Sequence, residues 1–241
     1  MDVAAAPITT GAPALAGRAV ASQRWSNLAF LHWRVRPEDV APLLPKGTRP
    51  DVFEGSSWVG LIPFVLDRAT VFGSPPVPYF GNFVEVNVRL YAVDATGRRG
   101  VVFVSLEASR LAAVLAARAV FSIPYEWAST RVQVEHGQWR YRSRRHGARD
   151  IGCDIRITPS ATPHDSPLAQ FLTARWGLFT SRFGSTVFLP NEHPPWEVFE
   201  ARLDSINDTL LAAAGFAGLA DRAPDSVLWS PGVTTRFGRP A

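Results

Sequence analysis

Residues 83–108 constrain the fold more than any other stretch of this chain. Val84, Val86, Val88 and Leu90 alternate with Phe83, Glu85, Asn87, Arg89 and Tyr91. After the turn-forming Asp94-Ala95-Thr96-Gly97, the return run sets Val102, Val104, Leu106 and Ala108 against Val101, Phe103, Ser105 and Glu107. A period of two in both runs predicts an antiparallel hairpin with one apolar face. A slip of one residue would throw a whole valine row to the other side, so the expected register keeps even positions opposite even ones. Arg89 then lies across from Ser105 and Asn87 across from Glu107. The second face gathers Glu85, Asn87, Arg89, Ser105 and Glu107 in one patch. Such a face is either solvated or lines a polar cavity inside a closed barrel. Phe83, Tyr91 and Phe103 share it, and three exposed rings would leave a costly apolar area in water.

The same reading along the chain predicts strands over 27–35, 57–66, 127–134, 138–145, 151–158, 178–189 and 227–237, with Gly60 and Pro63 marking a bulge or an edge. Short helices are expected after Pro37, over 110–120, over 167–176 with Leu168, Phe171, Leu172 and Arg175 at helical spacing, and over 205–214 ending at Gly215. Residues 70–81, with three prolines and two glycines, form a candidate rim loop. Many antiparallel strands with a few short helices make an α+β, mainly antiparallel β body, and βαβ alternation is absent.

No composition break divides the chain, which reads as a disordered arm over 1–22 followed by a single domain over 23–241. Ala19-Val20-Ala21 mimics a signal-peptidase site, but Asp2 and the interrupting Pro7, Gly11, Pro13 and Gly17 argue against a signal peptide. No apolar run has the length of a membrane span. The single cysteine, Cys153, permits no internal disulfide and fits a reducing cytoplasm. The net charge of +4 rests on 24 arginines and one lysine, Lys46, a bias that reads as GC-rich coding rather than as selection for an anionic partner.

Motifs exclude several chemistries. There is no Gly-rich dinucleotide fingerprint, no phosphate loop around Lys46 and no Gly-x-Ser-x-Gly elbow. His32, His136, His146, His164 and His193 lack the short spacings of paired metal ligands, so neither a metal nor another cofactor is expected. His193 stands out, because Glu192-His193-Pro194-Pro195-Trp196 fixes it in a rigid turn where a neutral imidazole can act near pH 7. The alternative is a structural histidine, as expected for His32 between Leu31 and Trp33. Residues 139–149 interleave five arginines with Trp139 and Tyr141. That mix could grip phosphates and stack bases, or Arg140, Arg142 and Arg144 could simply alternate along a solvated strand face, the reading preferred here.

Taken in order, Phe30-Leu31-His32-Trp33-Arg34-Val35, Trp58-Val59-Gly60-Leu61-Ile62-Pro63-Phe64, the two halves of the 83–108 hairpin, Ile123-Pro124-Tyr125 and His193-Pro194-Pro195-Trp196 resemble the YqjF-like family of uncharacterised bacterial proteins. The resemblance runs from about Trp25 to near the C-terminus. That family is similar to the acetoacetate decarboxylase-like superfamily, which implies a β-rich cone or barrel around a central cavity, with the polar hairpin face turned into it. The resemblance places Glu85 about where those decarboxylases carry an active-site glutamate. Their Schiff-base lysine follows a proline, and here Tyr125 follows Pro124 instead. A phenol cannot condense with a carbonyl to give a protonated imine, so the decarboxylase mechanism is not expected.

These readings converge on a cavity for a small anionic or carbonyl-containing metabolite. Glu85, Glu107, Tyr125 and His193 are its acid/base candidates, with Arg89 and Arg118 as an anion clamp and Asn87, Ser105 and Arg34 as further binding groups. The chemistry would be lyase- or hydrolase-like. A non-catalytic sensor or carrier using the same cavity, and nucleic-acid binding through the Arg-rich hairpin, stand as alternatives. A homo-oligomer is left open, and no membrane partner is expected.

Overall fold

In the computed structural model, which describes residues 3–71, 73, 81–111 and 122–240, twelve strands form one sheet. They are β1 (Ala21–Val35), β2 (Thr48–Pro50), β3 (Ser57–Val71), β4 (Phe83–Asp94), β5 (Arg99–Ala108), β6 (Tyr125–Glu135), β7 (Gln138–Arg145), β8 (Gly152–Pro163), β9 (Gly177–Arg182), β10 (Ser185–Glu192), β11 (Phe199–Asp208) and β12 (Ser226–Phe237). The order is β10-β9-β5-β6-β7-β8-β11-β12-β1-β3-β4-β2, with further pairings of β4 to β5 and β10 to β12. Only β5–β6 and β5–β9 run parallel among these pairs. The fold is therefore α+β and mainly antiparallel. Among the described residues, it is accompanied by the short helices α1 (Pro37–Val40), α2 (Pro167–Thr173) and α3 (Leu210–Ala213).

The valine row behaves as its alternation requires. Val84, Val86, Val88 and Leu90 are buried in one core with Leu31, Trp33, Leu61 and Ile155. Pro63 sits inside β3 beside an irregularity in its pairing with β1, where the register shifts between Ser26 and Leu31 and Asn27 adopts φ 53°. A missing N–H is tolerated at such a bulge. β3 is not an edge, since it pairs with both β1 and β4. Gly60 is small for a different reason: a Cβ there would lie 2.9 Å from His32 Nε2 and 3.3 Å from Arg89 Cγ.

Several expectations need correction. Residues 178–189 are two strands, not one, because Phe183 and Gly184 both take positive φ, 50° and 81°, and turn the chain into the β9–β10 hairpin. Residues 205–214 begin as strand, where β11 pairs with β8 through Asp208, and the expected helix is confined to α3 beyond it. There Leu203 and Ile206 pack against the core, and tertiary pairing overrides local helix propensity. The helix expected over 167–176 stops at Thr173, where Ala174 takes ψ 80°. Its start is as written in the sequence, with Pro167 at the first turn and Ser166 Oγ accepting from the Ala169 N–H at 3.1 Å. Most of the helix expected over 110–120 and most of the 70–81 loop lie outside the described residues.

Residues 3–20 contain no helix or strand. They contact the body at several points, among them Ala6 N–H to Gly97 O at 2.8 Å and Trp176 Nε1–H to Thr9 Oγ1 at 3.0 Å.

Candidate functional site

The β4–β5 hairpin decides which polar groups meet. Val86 pairs with Glu107 and Val88 with Ser105, but Arg89 pairs with Phe103, so Val104 is an extra residue in a β-bulge. Neither expected pair, Arg89 with Ser105 or Asn87 with Glu107, forms; beyond the bulge even positions do face even ones, but two residues away from the expected register, with Leu90 opposite Val102. Ahead of it the register is one residue different, and the return strand presents its other side. Ser105 and Glu107 therefore share a face with the valine row, while Phe103 and Leu106 share one with Glu85, Asn87 and Arg89. The single patch anticipated from the sequence is two sites on opposite faces of the sheet.

Glu85, Asn87 and Arg89 line an internal cavity of about 150 Å³. Its wall is completed by Trp25, Phe64, Phe103, Tyr125, His193 and Trp196, with Arg175 and Asn191 at the polar side. Glu85 is 2% exposed. Burial pushes its carboxyl up to about 7, although hydrogen bonds from Tyr125 and Asn87 pull the other way. The Tyr125 phenol donates to Glu85 Oε2 at 2.8 Å. Burial first, and the neighbouring Glu85 second, raise the phenol well above its usual range, so it stays protonated and positions the carboxyl.

Arg89 is held by its own strand and by α2. Its Nε–H donates to Tyr91 Oη at 2.9 Å and its Nη2–H to Leu172 O at 2.9 Å. His32 Nε2 reaches the same Tyr91 oxygen at 2.6 Å. Complete burial, with Arg89 and Arg175 nearby, lowers the His32 pKa well below the ordinary value, so the imidazole is neutral. His32 lies beneath the site as a structural group, in keeping with the sequence reading.

His193 is 7% exposed and lines the cavity. Its Nδ1 lies 2.7 Å from Pro194 O, which can only accept, so Nδ1 carries the hydrogen and Nε2 is left with a lone pair. Burial lowers its pKa as well. The ring lies among Trp176, Trp196 and Trp25, with centroids 4.6, 4.9 and 6.4 Å away.

Glu107 is fully buried behind the sheet and gripped by Arg145, with Nη2 to Oε1 at 2.7 Å and Nε to Oε2 at 3.1 Å. Burial raises its pKa against the pull of that guanidinium. Arg34 lies outside the cavity lining. Its side chain is exposed, sits 5.0 Å over the Trp58 ring and is 3.6 Å from Glu54. Arg118 lies outside the described residues. Lys46 is exposed and contributes nothing to the cavity lining.

Arg175 and Asn191 are cavity groups that the sequence reading did not single out as site residues. Arg175 has the helical spacing of 167–176 in the sequence, yet α2 ends before it, and the side chain turns into the cavity at 4% exposure. Nη1 donates to Asp51 Oδ2 at 2.8 Å, and Asp51 also pairs with Arg99. Burial draws the guanidinium down to about 10, still charged at neutral pH. Its Nε and Nη2, together with Asn87 Oδ1 and Asn191 Oδ1, are buried without hydrogen-bond partners among the described residues. A guanidinium at an apolar-stripe position was the available signal. An unpaired set of this kind is where a ligand's polar atoms would be satisfied.

A family model described as an uncharacterized conserved protein, DUF2071, matches residues 22–234. The chain belongs to the DUF2071 family. Uncharacterized protein YqjF of Bacillus subtilis (strain 168) is 28% identical to this DUF2071 chain over 196 residues, 80% of this chain and 81% of that one. An acetoacetate decarboxylase-like enzyme from Sphingomonas wittichii RW1 superposes with a TM-score of 0.65 at 13% identity, over 93% of each chain. The enduracididine biosynthesis enzyme MppR, complexed with the condensation product of pyruvate and imidazole 4-carboxaldehyde, gives 0.63 at 14% identity over 93% of this chain and 90% of its own. Acetoacetate decarboxylase from Legionella pneumophila gives 0.61 at 14% identity, over 93% and 89%. At these identities the likeness shows an acetoacetate decarboxylase-like fold, and the resemblance read from the sequence is borne out at the level of family and fold.

Proposed function

We propose that this protein is an acid/base enzyme that holds a small anionic or carbonyl-containing metabolite in the Glu85 cavity and acts on it without a Schiff base. The observation that carries this reading is the buried Glu85 carboxyl, pushed up to about 7 on a wall that also presents Arg89 and Arg175. A carboxyl poised near neutrality can take a proton from carbon beside a carbonyl or give one to a leaving group. Arg175 and Arg89 supply charge for a carboxylate or phosphate, Asn87 and Asn191 supply the remaining polar contacts, and His193 Nε2 offers a second acceptor. Tyr125 positions Glu85. Lyase- or hydrolase-like chemistry fits this set. The extra pairings of β4 to β5 and β10 to β12 support a sheet closed into a cone around the site.

MppR carries pyruvate in one of its structures, which makes short 2-oxo acids reasonable probes. The protein would work in the cytoplasm, where a single buried cysteine, Cys153, stays reduced. Among the described residues, no helix is long and apolar enough to cross a membrane.

The test is incubation of the full chain with short 2-oxo, 3-oxo and hydroxy acids, followed by proton NMR. Turnover that Glu85→Gln lowers by ~10²–10⁴-fold supports the assignment. Turnover indifferent to both Glu85→Gln and Tyr125→Phe contradicts it. Saturable binding with the ligand recovered unaltered would favour a carrier.

A further inference from the structure

A second site lies away from the cavity, on the outer face of β6, β7 and β8. Arg131 pairs directly with Arg142, Ser129 with Arg144, and Arg144 with Gly152, which has no side chain. Like charges directly opposite in an antiparallel pair repel. Arg131, Arg142, Arg144 and Arg149 line a groove of about 620 Å³. None of these four has an acidic side chain within ion-pair distance among the described residues, whereas Arg36, Arg98, Arg202 and Arg222 elsewhere on the surface each hold one. Of the two acids lining the groove, Asp154 lies opposite Arg142 in the β7–β8 register but turns its carboxylate to Arg140, bonded through Nε at 2.8 Å and through Nη2, so the groove's two acids face four guanidiniums and Asp154 is shared with a fifth. Arg142 Nη2–H donates to Gln133 and Arg144 Nε–H to the Arg149 carbonyl, contacts that orient the guanidiniums without neutralising them.

We propose that this groove binds a phosphate group carrying two or more negative charges, with Arg131 and Arg142 as its central grip. A dianion between two facing guanidiniums converts their repulsion into charge-assisted, two-point hydrogen bonds, the geometry in which Arg binds phosphate best. A monocarboxylate would leave most of the charge unmet. Tyr141 is fully buried, and Trp139 packs against the core on the opposite face of β7. The two rings interleaved with these arginines in the sequence are thus turned away from them, which favours recognition of phosphate charge over stacking of bases. This reading does not depend on the cavity.

The experiment is calorimetric titration of the full chain with sodium pyrophosphate at fixed ionic strength, repeated with a ten-nucleotide single strand. The expected result is saturable binding that Arg131→Gln/Arg142→Gln weakens at least tenfold and Arg36→Gln leaves unchanged. Without ligand the double variant melts no lower than the parent, since it removes a repelling pair. Tighter pyrophosphate binding supports a multiply charged phosphate as the ligand, and tighter binding of the strand, whose phosphodiesters each carry a single charge, contradicts it. Absence of saturable binding by either probe, or binding that the double variant retains, overturns the proposal.

Discussion

The Tyr125 hydroxyl donates to Glu85 Oε2 at 2.8 Å inside a largely apolar cavity. The two residues come from β6 and β4, strands that are not neighbours in the sheet, and β5 between them pairs its Leu106 with Tyr125 and its Ala108 with Glu85. A carboxyl in this setting is held in one orientation while burial opposes its ionisation.

Glu85 therefore makes stability fall as pH rises. Its folded-state pKa of about 7 lies above the ordinary 4.5, so the native state binds more protons than the unfolded chain between those values. The protonated carboxyl is stabilising below pH 4.5 relative to the high-pH limit, and that advantage is lost as pH passes through 7. Glu85→Gln, neutral throughout, should be more stable than the parent at pH 8 by up to ~3 kcal/mol, with the difference shrinking toward pH 5. Urea unfolding at the two pH values reads this directly. Comparing variant with parent cancels the opposite slope from the neutral, buried His32, which loses stability on acidification.

Removing the phenol shifts Glu85 further up. The Tyr125 hydrogen bond favours the carboxylate, so Tyr125→Phe should move the Glu85 midpoint to higher pH. The carboxylic acid C=O band in infrared difference spectra against Glu85→Gln follows the protonated fraction. A downward shift would mean that the phenol does not act on this carboxyl.

Asp51 holds two guanidiniums, Arg175 and Arg99, at 2% exposure of its side chain. Asp51→Ala leaves buried positive charge uncompensated and should cost about 3–5 kcal/mol. Arg175→Met removes the charge along with its demand for a partner and should cost less, while abolishing binding of anionic ligands to the cavity. Denaturation midpoints separate the two variants, and ligand titration of Arg175→Met checks the second effect.

Glu107 should matter to folding and not to the cavity. Glu107→Ala strands the largely buried Arg145, and a loss of about 3 kcal/mol is expected, with cavity affinity unchanged. Chemical denaturation and ligand titration on the same sample test both halves. A loss of cavity affinity would return Glu107 to the site.

The sequence made the alternating strands legible because a period of two is written residue by residue, and the valine row of β4 is buried as that period demands. It did not reveal the bulge at Val104. Alternation through Val102, Val104 and Leu106 is uninterrupted, and only the three-dimensional pairing shows that one residue is extra. That single residue moved Ser105 and Glu107 to the other face. Arg175 was hidden for the opposite reason, since helical spacing continued past the point where Ala174 leaves the helix. β11 was missed because its alternation is weak and its strand state comes from pairing with β8. The identities of Glu85, Asn87, Arg89, Tyr125 and His193 as neighbours of one cavity were reachable from residue pattern and family resemblance together.

The most direct test of the account is a pH titration of the Glu85 carboxyl in the folded protein, by carbon-13 NMR with Glu85→Gln assigning the resonance. A midpoint of about 7 is the predicted result. A midpoint at the ordinary carboxylate value of about 4.5 would contradict it, because a carboxylate ionised throughout the neutral range could not serve as the proton carrier of this site.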